Sequence, residues 1–341
     1  MKKNKKDDAY IQNILVRYFP QGTWKTQIGP SGANNTTVFI SVNGEQFVLR
    51  IYETHQDIEK AKYEQATLLA LKELPVSFSI PEPILTQDGN TIVKAHDGKL
   101  AGLFRFLDGG NPSLEELEQV YSFGRIAAQL TDSLAKIQLN QLPVYRPYYE
   151  IESTHPRCSP SDVTNFCLRP PNEFSELADE LRIISKQLAS FRDLVPALQQ
   201  LPHQLVHGDL NASNILVNQD GLVFAVLDFE FVTNDLRVME AAVCLSDFIQ
   251  PSQDQTMIWE KADAFLSGYG SAMKMTENEI NALPELIQLR SLDVFIHFLG
   301  RYWDGIDPIE TVKEYIQKAA IKVDWLSANK EKLTALGIKY L

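Results

Sequence analysis

Three polar residues, His207, Asp209 and Asn214, stand in the order H-x-D-x-x-x-x-N inside LVHGDLNASNILV, residues 205–217, with aliphatic runs on both sides. A further carboxylate, Asp228, follows nineteen residues after Asp209 in the run LDFE. At this spacing one carboxylate can orient and deprotonate an attacking hydroxyl, while a carboxamide and a second carboxylate hold a divalent ion against phosphate oxygens. Taken singly the residues read more plainly. His207 would be a hydrogen-bonded structural histidine, and Asp209, ahead of Asn211 and Ser213, a turn-capping aspartate. It is Asn214 and Asp228 in register with Asp209 that favour phosphoryl-transfer chemistry.

Such a set needs elements to position it. Residues 215–217 are expected to form a strand, 218–221 a turn and 222–228 a second, buried strand, so that a hairpin returns Asp228 beside the loop that carries Asp209. Upstream, residues 23–52 read as strands broken by a Gly/Asn loop and by the hairpin pair Asn43-Gly44. A helix is expected over 57–73, stopped by Pro75, followed by short strands around Ile84 and Ile92 and a tight apolar run at 103–107. Beyond Pro112 the text turns helical. Helices are expected over 115–137, 173–190 and 235–248, the last placing Cys244 in a core, and 142–171 reads as an irregular insertion. There is no internal repeat.

Composition agrees with a globular chain: 341 residues, 44% hydrophobic and 22% charged, with a net charge of −12. That acidity argues against nucleic acid or an anionic membrane as the main partner. No run approaches the ~20 apolar residues of a membrane span, and the lysines at the start lead into no apolar signal core, so a cytoplasmic location is expected. Three cysteines without C-x-x-C spacing suggest reduced thiols.

The block HGDLNASNILV … LDFE, with GPSGANNTTVF at 29–39, FVLRI at 47–51 and GLFRFL at 102–107, resembles the aminoglycoside phosphotransferase and choline kinase superfamily, and within it the homoserine-kinase-like members. The matches run from about Gly29 to Phe248. The resemblance implies an α+β, protein-kinase-like bilobal fold: a small β-rich lobe with one main helix over residues 1–107, a hinge about 104–111, and a mainly helical lobe over 112–341. It implies ATP and Mg2+ as cofactors. The 29–36 loop, with Gly32 and Asn35, would cover the phosphates through backbone amides, Gly32 allowing close approach. Arg50 would contact phosphate with Glu64 as its helix partner, Glu59 being the weaker register, and the segment with Phe104 and Phe106 would receive adenine. Asp209 would be the base, Asn214 and Asp228 the metal ligands, and His207 a brace for the loop. Two positions depart from the commonest pattern. Arg50 stands where a lysine is usual, exchanging a point charge for a planar fork, and the third residue of the metal motif is Glu230, which could meet metal or a cationic substrate.

The acceptor would be a small hydroxylated metabolite. Between Glu230 and Glu310 fourteen acidic residues face five basic ones, which favours an amine-bearing alcohol, amino sugar, aminoglycoside or homoserine-like amino acid, although most of these acids are expected on a solvated face. Glu240 reads as a buried partner of Arg237 or of a loop backbone. In HFLGRYWDG, residues 297–305, Arg301 and Asp304 are candidates for a zwitterion's carboxylate and amine, against lobe packing by the aromatics. Two other readings carry different functions: a stress-response protein Ser/Thr kinase, which the missing A-P-E segment disfavours, and a kinase-fold binding protein with weak catalysis. Oligomeric state is not encoded in any motif.

Overall fold

The computed structural model describes residues 8–29, 35–53 and 57–341. The chain opens with helix α1 (Asp8–Leu15), then strands β1 (Trp24–Ile28), β2 (Asn35–Val42) and β3 (Glu45–Tyr52), helix α2 (Ile58–Lys72), and strands β4 (Ile92–Lys94) and β5 (Leu100–Arg105). The strands form one antiparallel sheet in the order β1-β2-β3-β5-β4. Val42 faces Glu45 across a two-residue turn in which both Asn43 (φ 53°) and Gly44 (φ 87°) are left-handed, the twist-matched hairpin turn that Asn-Gly favours.

Alternation along β3 sorts its side chains to two faces. Phe47, Leu49 and Ile51 are buried in a cluster with Ile11, Ile14 and Leu15 of α1. Arg50 and Tyr52 point the other way, and both bond Glu64 of α2. Helix α2 starts where the Asp57 side chain accepts from the Glu59 amide at 3.0 Å, and ends before Pro75.

The second lobe contains α3 (Leu117–Leu134), α4 (Pro160–Leu168), α5 (Ala178–Leu198), β6 (His203–Val206), β7 (Ile215–Val217), β8 (Val223–Val226), β9 (Thr233–Leu236), α6 (Met239–Phe248), α7 (Gln255–Gly270), α8 (Glu277–Trp303) and α9 (Ile309–Tyr340). Helices α3 and α7 cross at two glycines. A Cβ on Gly124 would lie 2.1 Å from the Phe265 carbonyl oxygen, and one on Gly268 would lie 2.1 Å from that of Tyr121, so only glycine permits this approach. Helix α8 begins with a capping box: Thr276 accepts from the Glu279 amide while the Glu279 carboxylate accepts from the Thr276 amide. All three cysteines are buried and unbridged. No helix among the described residues is long and apolar enough to cross a membrane.

Several elements differ from their sequence expectation. Ile84 makes only a backbone bond to Leu103 beside an isolated bridge, because Pro83 supplies no amide for a ladder. The 142–171 segment holds a true helix, α4, started by Pro160 behind the Ser159 cap. A 3-10 turn, Asn172–Leu177, precedes α5, which runs later and longer than 173–190. The stretch expected as one helix over 235–248 is strand β9 followed by α6: Thr233–Leu236 pairs antiparallel with β6, a tertiary pairing with no local signature.

Candidate active site

Strand β6 delivers the chain to His207, which is 0% exposed. Its Nε2 lies 2.8 Å from the Leu227 carbonyl oxygen and its Nδ1 accepts from the Asp209 amide at 3.3 Å, so the ring joins the loop to the end of β8. Burial lowers the imidazole to about 4, against the pull of that carbonyl, which keeps the ring neutral. Gly208 follows at φ 80°, where an added Cβ would meet the Phe231 carbonyl oxygen at 2.7 Å. The His207 amide donates to Glu240 Oε2 at 2.5 Å. Glu240 is therefore the loop-backbone partner, and Arg237 pairs with Glu279 instead.

Asn214 closes the loop on itself, its Nδ2 donating to the Asp209 carbonyl oxygen at 2.8 Å and reaching Asp209 Oδ2 at 3.3 Å. The short hairpin of β7 and β8 then returns the chain, and the Leu227 amide bonds the Asn214 carbonyl oxygen at 2.8 Å. Asp228 sits next, in left-handed conformation (φ 59°, ψ 67°) that asparagine and aspartate tolerate best after glycine. The loop thus brings together Asp209, Asn214 and, one residue past that bond, Asp228.

The sheet lobe meets this group through Arg50. Its Nη1 is 3.0 Å from Glu64 Oε1, while Nη2 contacts Asp228 Oδ1 and lies 3.1 Å from Glu230 Oε2. Tyr52 donates to the other Glu64 oxygen at 2.8 Å, and Asn35 Nδ2 donates to Glu230 Oε2 at 2.9 Å. Burial disfavours the guanidinium, but Asp228, Glu64 and Glu230 outweigh it and raise its pKa. Glu59 is at the surface with Lys62. Gly32 lies outside the described residues.

Phe104 is buried in β5, and Phe106 packs edge-on against Phe39 with ring centroids 5.8 Å apart. The Phe106 amide is already bonded to the Gln46 carbonyl oxygen at 3.1 Å. Past β5 the connector is pinned to the hairpin, Asn111 Nδ2 donating to the carbonyl oxygens of Ser213 and Ile215.

Arg301 and Asp304 do not join the group. Arg301 is clamped in two bonds by Asp307, at 2.5 and 3.0 Å, and Asp304 faces His155 and Arg157. At 1.5 Å per residue, Arg301 lies about 16 Å along α8 from Arg290, and Tyr302 and Trp303 pack on Phe174 and Phe166.

The residue that sequence reasoning missed is Arg290 of α8. Its Nη2 lies 2.7 Å from Asp209 Oδ1, and its Nη1 donates to Tyr148 OH at 2.9 Å and to Asp293 Oδ2 at 3.3 Å. Tyr148 in turn donates to the Gly208 carbonyl oxygen at 2.6 Å. Burial pushes Asp209 up to about 6, with Arg290 opposing and Asp228 adding to the rise. The donors available to a divalent ion, one carboxylate (Asp228, 36% exposed) and one carboxamide (Asn214), are too few for an all-protein cage. They fit Mg2+, which is commonly held by one or two carboxylates together with substrate phosphates.

A profile of the phosphotransferase enzyme family matches residues 25–273, and the chain belongs to that family. It is thus a phosphotransferase on the protein-kinase-like fold. Among its relatives, the homoserine kinase of Zymomonas mobilis is 24% identical over 307 residues, covering 88% of each chain. That of Sinorhizobium fredii is 26% identical over 78% of this chain and 76% of its own. Among solved structures, a microcompartment-associated aminopropanol kinase superposes with a TM-score of 0.67 at 17% identity, over 98% of this chain and 100% of its own. An amicoumacin kinase in complex with AMP-PNP and Ca2+ gives the same TM-score at 15% identity, over 93% and 94%. These two likenesses carry the fold.

Proposed function

We propose that the chain transfers the terminal phosphoryl group of ATP to a hydroxyl of a small metabolite, with Asp209 as base and Asn214 and Asp228 as Mg2+ ligands. The observation that carries this is the Asn214 hydrogen bond to Asp209 beside the Arg50 contact to Asp228, which spans the two lobes. Mg2+, when bound, would neutralise charge on the phosphates.

The protein's own groups do the rest. Arg290 holds Asp209 Oδ1, which leaves Oδ2, weakly touched by Asn214, to take the acceptor's proton. As the acceptor oxygen bonds to the terminal phosphorus, the bond from that phosphorus to the bridging oxygen breaks, and ADP leaves with the bond's electrons. Arg50, held by Glu64, would contact phosphate, Asn35 at the start of β2 bonds Glu230 beside it, and the loop with Gly32 would cover the phosphates. Phe104 and Phe106 would wall the adenine site, His207 braces the loop, and the two lobes meet at a hinge about residues 104–111. Homoserine kinases among the relatives and an aminopropanol kinase among the fold neighbours favour a small hydroxylated amine or amino acid as acceptor.

The test is ADP release with a panel of amino alcohols, amino sugars and hydroxy amino acids, on the wild type and on Asp209→Asn and Asp228→Asn. Removing the base should lower turnover by about 10²–10⁴, and the Asp228 variant should lose magnesium-dependent nucleotide binding. Full turnover in either folded variant would remove its assigned role.

A further inference from the structure

A cavity of about 280 Å³ opens between α6, α8 and α9, and its wall does not include Asp209 itself. Asn211 and Arg290, which both bond Asp209, form part of its wall, so the cavity adjoins the loop that carries the proposed base. It is close to the lower end of ligand pockets, roughly 300–1,000 Å³, which suits a metabolite of few atoms and not an aminoglycoside. Its wall carries three cations, Arg290, Lys318 and Lys322, against one carboxylate, Asp247. The acid excess of the surrounding sequence is therefore absent from the wall of this cavity.

The three cations differ in what already holds them. Arg290 already bonds Asp209, Tyr148 and Asp293, and Lys318 pairs with Glu314 at the surface. Lys322 is 8% exposed, and its Nζ donates to the Ser246 carbonyl oxygen at 2.6 Å. Among the described residues no carboxylate lies within 4.0 Å of it. A buried ammonium has three donors and a large desolvation cost, which a carbonyl offsets only in part. An anion in the cavity would complete it.

We infer that the acceptor carries a carboxylate, received by Lys322 with Lys318 at the rim, and that this subsite selects small hydroxy acids and hydroxy amino acids over amino alcohols. The inference rests on the proposed role of Asp209, since that role is what makes the adjoining cavity the acceptor's. Burial, with Arg290 and Lys318 nearby, lowers Lys322 to about 8 against the pull of Asp247, so this is the ammonium an incoming anion relieves most. Asp247 also holds the Ala212 amide at 3.1 Å and would meet an amine where the acceptor has one.

Calorimetry on the full chain with AMP-PNP and magnesium, using 4-hydroxybutyrate, L-homoserine and 3-amino-1-propanol, tests the subsite without turnover. Both acids should bind about 10-fold or more tighter than the amino alcohol, the scale of one charge-assisted hydrogen bond. Equal or reversed affinities, or no binding by either acid, overturn the inference. In Lys322→Met the preference should collapse to within about 3-fold, and a folded variant that keeps the wild-type preference removes Lys322 from the subsite. Should Lys322→Met fail to fold, the wild-type comparison alone decides, and Lys318→Gln should weaken both acids more than the amino alcohol. ADP release from the bound acids separates the two readings: tight binding without release leaves the subsite standing and removes the phosphotransfer role assigned to Asp209.

Discussion

Arg290 Nη2 rests 2.7 Å from Asp209 Oδ1, although eighty-one residues separate the two in sequence. The arginine is fixed on α8 by Tyr148 and Asp293, so it holds the carboxylate oriented as well as charged.

A pH dependence follows. Burial brings Asp209 to about 6 even with Arg290 opposing, and a base must be unprotonated to act. The kcat/KM profile should therefore fall tenfold per unit as pH drops below about 6. Removing the opposing charge in Arg290→Met should carry that acid limb upward. A limb that stays in place or moves down in the variant would show that Arg290 does not set the ionisation of Asp209.

At Arg50 one planar fork serves Glu64, Asp228 and Glu230 together. A lysine presents a single point charge on a flexible stem and cannot reproduce that geometry. Arg50→Lys should bind ATP about 10-fold more weakly, in line with ~1–1.5 kcal/mol. Arg50→Met should also lose about 3 kcal/mol of stability, because the buried Glu64 carboxylate loses its cation. Nucleotide titrations and chemical denaturation read the two effects, and wild-type values in both variants would sink the bridging role.

Glu240 offers a linkage test. It is fully buried and pushed up to about 7, first by burial, with the His207 and Gly208 amides opposing. Its folded pKa stands above the unfolded value near 4.5, so between about pH 4.5 and 7 the folded state keeps a proton the unfolded state has lost. Stability attributable to this group declines as pH rises through that window, by up to ~1.4 kcal/mol per unit. Glu240→Gln cannot titrate and places an amide where Oε1 has no partner. The variant should melt below the wild type at pH 5, and the gap should close by pH 8. A gap that stays constant with pH would refute the assignment.

The α3–α7 crossing tolerates no side chain. Gly124→Ala and Gly268→Ala would each push a methyl into a facing carbonyl oxygen at 2.1 Å, and backbone on both helices would have to shift. Each should cost ~2 kcal/mol or more, read as a lower midpoint in thermal or urea unfolding. An unchanged midpoint in either would mean the crossing is looser than described.

The parts of this molecule that were readable in the sequence are local ones. The Asn43-Gly44 hairpin, the α2 helix stopped ahead of Pro75 and the loop from His207 to Asn214 depend on residues a few positions apart, and so does the β7–β8 return to Asp228. What stayed hidden depends on distant pairing. Strand β9 looks like helix text until β6 lies beside it, and Arg290 and Lys322 look like ordinary charges on amphipathic helices until α8 and α9 pack around the loop. Many carboxylates of the acid-rich stretch are spent on structure, which no local pattern discloses: Glu240 on the His207 amide, Glu279 on Arg237, Asp307 on Arg301 and Asp235 on the amides of Tyr148 and Leu236.

The Asp235 carboxylate accepts the Tyr148 amide at 2.7 Å, and the Tyr148 hydroxyl spans Arg290 and Gly208. Anyone trimming the molecule to a minimal catalyst would be tempted to excise the irregular stretch after α3 first. Doing so would cut a strut, since the shortened chain would have to find another way to hold Arg290 and the loop of Asp209 still.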